Sequence, residues 1–188
     1  MACHQKKGLN SNARIAFLDE SGISERPTVR RTWAPKGKTP VIVGAGHWKR
    51  RSVIGAIVCS ARGTNPKFYL AITAGSVYKE DDANFLKQLR RHERGRLILL
   101  WDNLAGHKSA LVRETAKKSR ITLEYFPSYA PELNPVEYAW AAAKNRDLAN
   151  LYPNGLEELD KSIRRMRRRL QRRADILRGF LKKSSLYC

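Results

Sequence analysis

An unbroken apolar run near the middle of the chain, RLILLWDN at residues 96–103, constrains the fold most strongly. A strand with no polar alternation is expected to be buried inside a sheet. Three segments rich in β-branched and aromatic residues precede it, RIAFLDES, RRSVIGAIVCSARG and PKFYLAITAG. The last of these follows an Asn-Pro turn, and together they predict an antiparallel meander. The segment RTWAPKGKTPVIV at residues 31–43 predicts two further extended pieces around a Pro/Gly/Lys turn.

The pattern changes to a helical period at residues 76–95, where Phe85, Leu86 and Leu89 share one face and Gly95 follows the end. A second helix is predicted at residues 107–119, a fifth strand at RITLEYF, and further helices at about residues 134–150 and 154–183. This order predicts an α/β fold. Its mixed five-stranded sheet has three antiparallel strands and then parallel strands reached by right-handed crossovers, with flanking helices.

Charge narrows the choice of partner. The chain carries 37 Lys and Arg against 17 Asp and Glu, a formal net charge of +20 over 188 residues, while 42% of residues are apolar. That apolar content favours a folded domain, and the charge favours a polyanion as partner, with an acidic membrane surface as the second choice. No apolar run reaches the roughly 18 residues of a membrane span, and the polar first residues are not a signal peptide. Three widely spaced cysteines indicate a reducing compartment.

Three acids occupy chemically suggestive positions. Asp19 is expected at the end of the first strand, Asp102 at the end of the fourth, and Glu137 in the first turn of the helix after the fifth. If the first and fourth strands are neighbours, the two aspartates lie side by side and the helix can bring Glu137 across to them. Carboxylates held together repel each other unless a cation neutralises them. Oxygen ligands of this kind favour Mg²⁺ or Mn²⁺, and paired ions serve phosphodiester chemistry.

Each acid also has a purely structural interpretation. Asp19 and Asp102 are compatible with ordinary strand ends and turns. Glu137 falls at the third helical position if Asn134 is the N-cap and Pro135 the first helical residue, which is where a capping-box glutamate belongs. We favour the metal-binding interpretation, because a cap does not explain the other two acids.

Three segments carry a family resemblance. FLDES, LLWDNLAGHKS and YFPSYAPELNPVEYAW resemble the three motif blocks of the IS630/Tc1/mariner transposases, which belong to the DDE superfamily and have an RNase H-like fold. The 34 residues between Asp102 and Glu137 (residues 103–136) correspond to the interval in part of that family. The resemblance covers roughly residues 14–150, and the last block matches at Pro127, Tyr129, Pro131, Leu133, Asn134, Pro135, Glu137 and Trp140.

The resemblance implies that Asp19, Asp102 and Glu137 are the catalytic, metal-binding triad. It also implies two Mg²⁺ (or Mn²⁺) ions per site, cleavage and transfer of double-stranded DNA at transposon ends, a TA target and a homodimer on DNA. A bacterial, cytoplasmic and nucleoid-associated location follows by the same resemblance. Relatives usually carry N-terminal helix-turn-helix modules that recognise the transposon ends, so we expect end recognition to come from a separate or fused module. The alternatives are a non-catalytic DNA-binding protein and another RNase H-like nuclease, such as one that acts on hybrids.

Three polar residues are candidates to support the site. Asn103 is placed to hydrogen-bond a triad carboxylate or to shape the turn after Asp102. His107 is placed to contact phosphate or orient a water, or is a helix-start histidine without chemistry. Asn134 is the expected helix cap.

Basic residues mark two candidate DNA-binding surfaces. Near the early hairpin the basic residues alternate with Trp33 and Trp48, which either stack on bases or belong to the core. The candidates in and after this segment are Lys36, Lys38, Lys49, Arg50, Arg51 and Lys108.

The final predicted helix combines an apolar stripe with eleven Lys or Arg between residues 161 and 183, against the single acid Asp175. We interpret it as a docked helix that presents a phosphate-binding ridge, defined by Arg164, Arg165, Arg168 and Arg172. An amphipathic helix for a membrane surface is the alternative. The predicted organisation is a polar lead at residues 1–13, an RNase H-like catalytic domain at 14–150 and a basic amphipathic extension at 151–188.

Overall fold

A computed structural model describes residues 13–41 and 48–187. Within these residues the strands and helices are, in chain order, β1 (Arg14–Ser24), β2 (Arg50–Ser60), β3 (Lys67–Ala74), α1 (Lys79–His92), β4 (Leu97–Trp101), α2 (Ala110–Lys118), β5 (Ile121–Tyr125), α3 (Pro135–Ala142), α4 (Leu156–Arg172) and α5 (Ala174–Lys183). Short 3₁₀ turns lie at Gly106–Lys108 and Pro131–Leu133, and a π-helical segment lies at Ala143–Asp147.

The five strands form one mixed sheet in the order β3-β2-β1-β4-β5. β1 pairs antiparallel with β2, and β2 with β3, whereas β4 lies parallel to both β1 and β5. This is the predicted sheet, with the first and fourth strands adjacent. The unbroken apolar run of β4 is fully buried because β4 is a central strand.

Helices cover both faces of the sheet. Alternate side chains of β1 point to opposite faces, so Ala16 and Leu18 pack with α1 and α2, whereas Ile15 and Phe17 pack with α3, α4 and α5. The apolar stripe predicted for the last helix joins the second of these layers, where its buried members include Leu170 and Leu177. Residues of the predicted extension thus contribute directly to the core.

The single helix predicted for residues 154–183 is wrong in one respect. The chain leaves helical geometry at Arg173, with φ −117° and ψ 71°, and restarts as α5. The Arg173 side chain forms an ion pair with Asp175, an acid in the first turn of α5. The bend allows α4 to pack over β3 while α5 contacts α3, so both helices bury their apolar residues.

Two other predicted elements also differ. The helix expected at 134–150 ends as α3 at Ala142 and continues as a π-helical segment, in which Leu148 N–H donates to Ala143 carbonyl oxygen at 2.9 Å. Residues 31–41 form the predicted turn but no strand, because this exposed segment pairs with no strand within the part of the chain that the structure describes. The rest of that prediction, at residues 42–43, lies outside the described residues. No helix in the described ranges has the length and apolarity needed to span a membrane.

Candidate active site

The pairing of β1 with β4 brings Asp19 and Asp102 together. Phe17 lies opposite Leu100, and each aspartate follows two residues later at the same edge of the parallel pair. Asp102 comes directly after β4, as predicted. Asp19 does not end its strand, because β1 continues to Ser24 by pairing with β2 beyond the end of β4.

Asp19 is the most buried of the three acids, with 8% of its surface exposed. Its Oδ2 accepts a hydrogen bond from Trp140 Nε1 at 2.8 Å. Burial, and then the charges of Glu137 and Glu20, raise the pKa of Asp19 to about 8. The site therefore holds a carboxylate that is costly to ionise without a neighbouring cation.

Glu137 is exposed and contributes to the same cleft. We define the catalytic cleft as the cavity of about 360 Å³ lined by Asp19, Asp102, Asn103, Leu104, Phe126, Pro127, Ser128, Tyr129, Ala130, Pro131, Asn134 and Glu137. Glu137 does not act as a capping-box residue. A capping glutamate would bind the Asn134 N–H, which instead donates to Pro131 carbonyl oxygen at 2.9 Å. The Glu137 carboxylate is thus available to the cleft.

Asn134 fixes the start of α3 in two ways. Its Oδ1 accepts from Val136 N–H at 3.1 Å, which is the predicted cap, and its Nδ2 donates to Leu18 carbonyl oxygen at 3.0 Å. The second bond ties the helix start to the strand residue before Asp19. Asn134 therefore sets the position of Glu137 relative to Asp19.

Sequence reasoning missed the role of Gly55. This residue lies opposite Asp19 in the β1–β2 pair, and a Cβ there would come within 2.5 Å of Cη2 of Trp140. Only glycine lets the indole lie against β2 and reach the carboxylate. A glycine in the middle of the strand VIGAIV was the available signal, because such glycines mark close approach of another group.

His107 is connected to the triad through Asp102. Its Nδ1 forms a short hydrogen bond with Asp102 Oδ1, its Nε2 lies 3.2 Å from Glu20 Oε2, and its ring stacks on Trp101 at 3.9 Å between centroids. Burial lowers the pKa of His107, but the hydrogen bonds to Asp102 and Glu20 outweigh it and raise the pKa to about 10. This buried imidazole holds Asp102 in place, which neither sequence interpretation anticipated.

Asn103 is exposed on the rim of the cleft. Its Nδ2 lies 3.5 Å from Ser128 Oγ, in the loop before Pro131, and within the described residues it forms no hydrogen bond to a triad carboxylate. The turn after β4 is closed instead by Leu104 N–H, which donates to Asp102 Oδ1 at 3.3 Å. Of the two interpretations of Asn103, the geometry supports a role in loop structure.

The candidate DNA-binding residues are mostly exposed, at Lys36, Lys38, Lys49, Arg50, Lys108, Arg164, Arg165, Arg168 and Arg172. Arg51 differs, because its guanidinium forms a two-pronged ion pair with Asp160 on α4. Of the two tryptophans in the early segment, Trp33 is fully exposed, and Trp48 packs edge-to-face on Tyr152 at 5.6 Å.

The donor set fits divalent cations. Three carboxylates from three separate elements share one cleft, the most buried of them has a raised pKa, and no Lys or Arg pairs with any of the three among the residues the structure describes. Oxygen-only donors of this kind suit Mg²⁺ or Mn²⁺. Asp19, Asp102 and Glu137 are the residues that would hold such ions.

Comparison with known proteins identifies the family. A family profile described as DDE superfamily endonuclease matches residues 14–160. The chain belongs to this family. No curated protein sequence matches it significantly.

Solved structures of similar fold include complexes of the Mos1 mariner transposase. The Mos1 paired end complex with Mn has a TM-score of 0.67 and 16% identity, over 98% of this chain and 58% of that chain. The Mos1 paired end complex with Mg has a TM-score of 0.65 and 17% identity, over 98% and 58%. The isolated Mos1 catalytic domain has a TM-score of 0.57 and 15% identity, over 100% and 89%. The fold is thus RNase H-like, as predicted, and the chain spans about three fifths of the Mos1 chains in these complexes.

Proposed function

We propose that this protein is the catalytic domain of an IS630/Tc1/mariner-type transposase, which cleaves DNA strands and transfers the ends with Mg²⁺ or Mn²⁺. The observation that carries the proposal is the meeting of Asp19, Asp102 and Glu137 in one cleft. These acids lie in the three segments that resemble the motif blocks of the family. In the proposed site these three residues hold two ions. Two bound metal ions would act as Lewis acids and lower the pKa of the attacking water.

The chain's own residues contribute positioning. Trp140 hydrogen-bonds to Oδ2 of Asp19, and His107 hydrogen-bonds to Oδ1 of Asp102. Asn134 ties the start of the helix that carries Glu137 to β1. In the first step, the oxygen of water bonds to phosphorus and the bond from phosphorus to the 3′-oxygen breaks. The products are a 5′-phosphate and a 3′-oxygen that takes up a proton. In the transfer step, that 3′-hydroxyl attacks a phosphorus of the target strand and releases a new 3′-hydroxyl.

Binding of the substrate rests on positive charge. The net charge of +20 and the exposed arginines of α4 favour contacts with the phosphate backbone of duplex DNA. By family resemblance the substrate is a pair of transposon ends, the target is a TA dinucleotide and the active form is a homodimer. The Mos1 structures of similar fold include a paired end complex and a strand transfer complex.

The test is strand cleavage by the purified protein. Supercoiled plasmid and an RNA–DNA hybrid of the same sequence are incubated with the protein and with Mg²⁺, Mn²⁺, Ca²⁺ or chelator. We expect nicking of the plasmid with Mg²⁺ and Mn²⁺ only. Cleavage confined to the hybrid would indicate a ribonuclease, and tight plasmid binding without nicking under any metal would indicate a DNA-binding protein.

A further inference from the structure

A second group of metal-ligand side chains lies behind Asp102, on the opposite face of the sheet from the catalytic cleft. Glu20 of β1, Asp82 of α1 and His107 each offer a ligand atom, and these atoms all lie within 4.8 Å of one another. We call these three residues the rear cluster. Glu20 directly follows Asp19, and successive strand side chains point to opposite faces, so the two sites lie back to back across β1.

The rear cluster contains a buried carboxylate oxygen without a partner. Asp82 is only 4% exposed, and its Oδ1 has no hydrogen-bond partner. Within residues 13–41 and 48–187, no Lys or Arg forms an ion pair with Asp82 or Glu20. A buried carboxylate oxygen without a partner is rare and costly, which points to a cation as its ligand.

The orientation of His107 is a second and independent observation. Nδ1 is engaged by the Asp102 carboxylate, and the ring is held by stacking on Trp101, so that Nε2 faces Glu20 at 3.2 Å. Histidines that bind metals are commonly held in this way, with one nitrogen on a carboxylate and the other directed at the ion. Glu20 is fixed as well, since its Oε1 accepts from Trp101 Nε1 at 3.1 Å.

We propose that Glu20, Asp82 and His107 form a metal site, separate from the catalytic cleft, that takes a transition-metal ion of the Zn²⁺ and Co²⁺ class. One imidazole nitrogen and two carboxylates suit such ions better than Mg²⁺, which prefers oxygen donors and water. A divalent ion here neutralises the charges of Glu20 and Asp82 and replaces the proton on His107 Nε2. Because the same ring holds Asp102, the ion also stiffens one wall of the catalytic cleft.

The test uses the full chain, stripped of metal with a chelator, with Co²⁺ and Zn²⁺ as probes. The parent protein carries Glu137→Gln, which weakens the catalytic site. Co²⁺ binding is followed by visible absorption, and Zn²⁺ binding by calorimetry. We expect one Co²⁺ per chain in this parent, retained in the presence of excess Mg²⁺. Asp82→Asn in the same parent preserves the side-chain size and should weaken Co²⁺ binding by at least about tenfold, since losing only a supporting partner of a metal ligand costs about 10- to 100-fold.

Controls separate this site from other histidines. His4→Gln and His92→Gln should leave Co²⁺ binding unchanged, whereas His107→Gln should abolish it. Because His107→Gln can also perturb folding, nitrogen NMR of the parent provides a direct measurement, and the His107 Nε2 resonance should shift on addition of Zn²⁺. No Co²⁺ binding in the parent, equal binding in Asp82→Asn, or an unshifted Nε2 resonance would overturn the proposal.

Discussion

Replacing Asp19 with asparagine should stabilise the metal-free protein while it destroys the catalytic site. Asp19 is buried, and burial together with the charge of Glu137 raises its pKa from 3.8 to about 8. An acid with a raised pKa in the folded state contributes stability that is fully present below its unfolded pKa. That stability is lost as pH rises through the folded pKa. Asparagine has no charge to bury, and its amide oxygen can still accept from Trp140.

The size of the effect follows from the two pKa values. At about 1.36 kcal/mol per pKa unit, burial of Asp19 costs roughly 2 kcal/mol of unfolding free energy at pH 5 and roughly 5 kcal/mol at pH 8. The advantage of Asp19→Asn over wild type should therefore increase by roughly 3 to 4 kcal/mol over this interval.

The assay is urea unfolding of both proteins at pH 5 and pH 8, with chelator and then with Mg²⁺ or Mn²⁺. With chelator, the difference in unfolding free energy should increase with pH in favour of the variant. Added metal should stabilise wild type more than the variant, because the variant lacks a ligand charge. A difference that is independent of pH, or a less stable variant at pH 8 with chelator, would refute the account of Asp19 as a buried carboxylate whose ionisation destabilises the metal-free protein.

Three further changes test the packing and the charge of the molecule. Gly55→Ala should lower the unfolding free energy by about 1–3 kcal/mol in urea and reduce nicking, because the new methyl group displaces Trp140. Gly22→Ala, in open space on the same sheet, is the matched control, and equal effects of the two changes would exclude the close-approach explanation. Leu170→Asp places a charge in the core and should lower stability by several kcal/mol in thermal melting, so an unchanged melting temperature would mean that α4 is not docked. The last change replaces four exposed residues of α4 by Gln together: Arg164, Arg165, Arg168 and Arg172. The steepness of log K against log[salt] for duplex DNA should fall by about 0.9 per lost phosphate contact, or roughly 3 to 4 units. An unchanged slope would mean that this face is only solvated.

Much of this structure could be predicted from local patterns. The order of the five strands follows from three antiparallel segments, a buried fourth strand and two crossover helices, and it places Asp19 beside Asp102. The Asn134-Pro135 pair predicts the start of α3, which sets the height of Glu137. These features depend on neighbouring residues, so the sequence carries them.

The features that were missed depend on contacts between distant segments. β1 extends past Asp19 because β2 continues to pair with it, although the apolar pattern of β1 stops there. The break at Arg173 is not visible because arginine favours helices and the apolar spacing continues across it. Asp82 resembles an ordinary acid in the first turn of a helix, and only the fold brings it to Glu20 and His107.

Nicking of supercoiled plasmid by triad variants tests the central claim most directly. Asp19→Asn, Asp102→Asn and Glu137→Gln are each compared with wild type under Mg²⁺ and Mn²⁺, after their folding has been verified by thermal melting. Glu132→Gln, an exposed acid in the turn before α3 that does not line the cleft, is the matched control. The account predicts that each triad variant loses metal-dependent nicking while the control retains it, because each lost carboxylate removes a ligand of the paired ions. Full nicking by Asp102→Asn would contradict it.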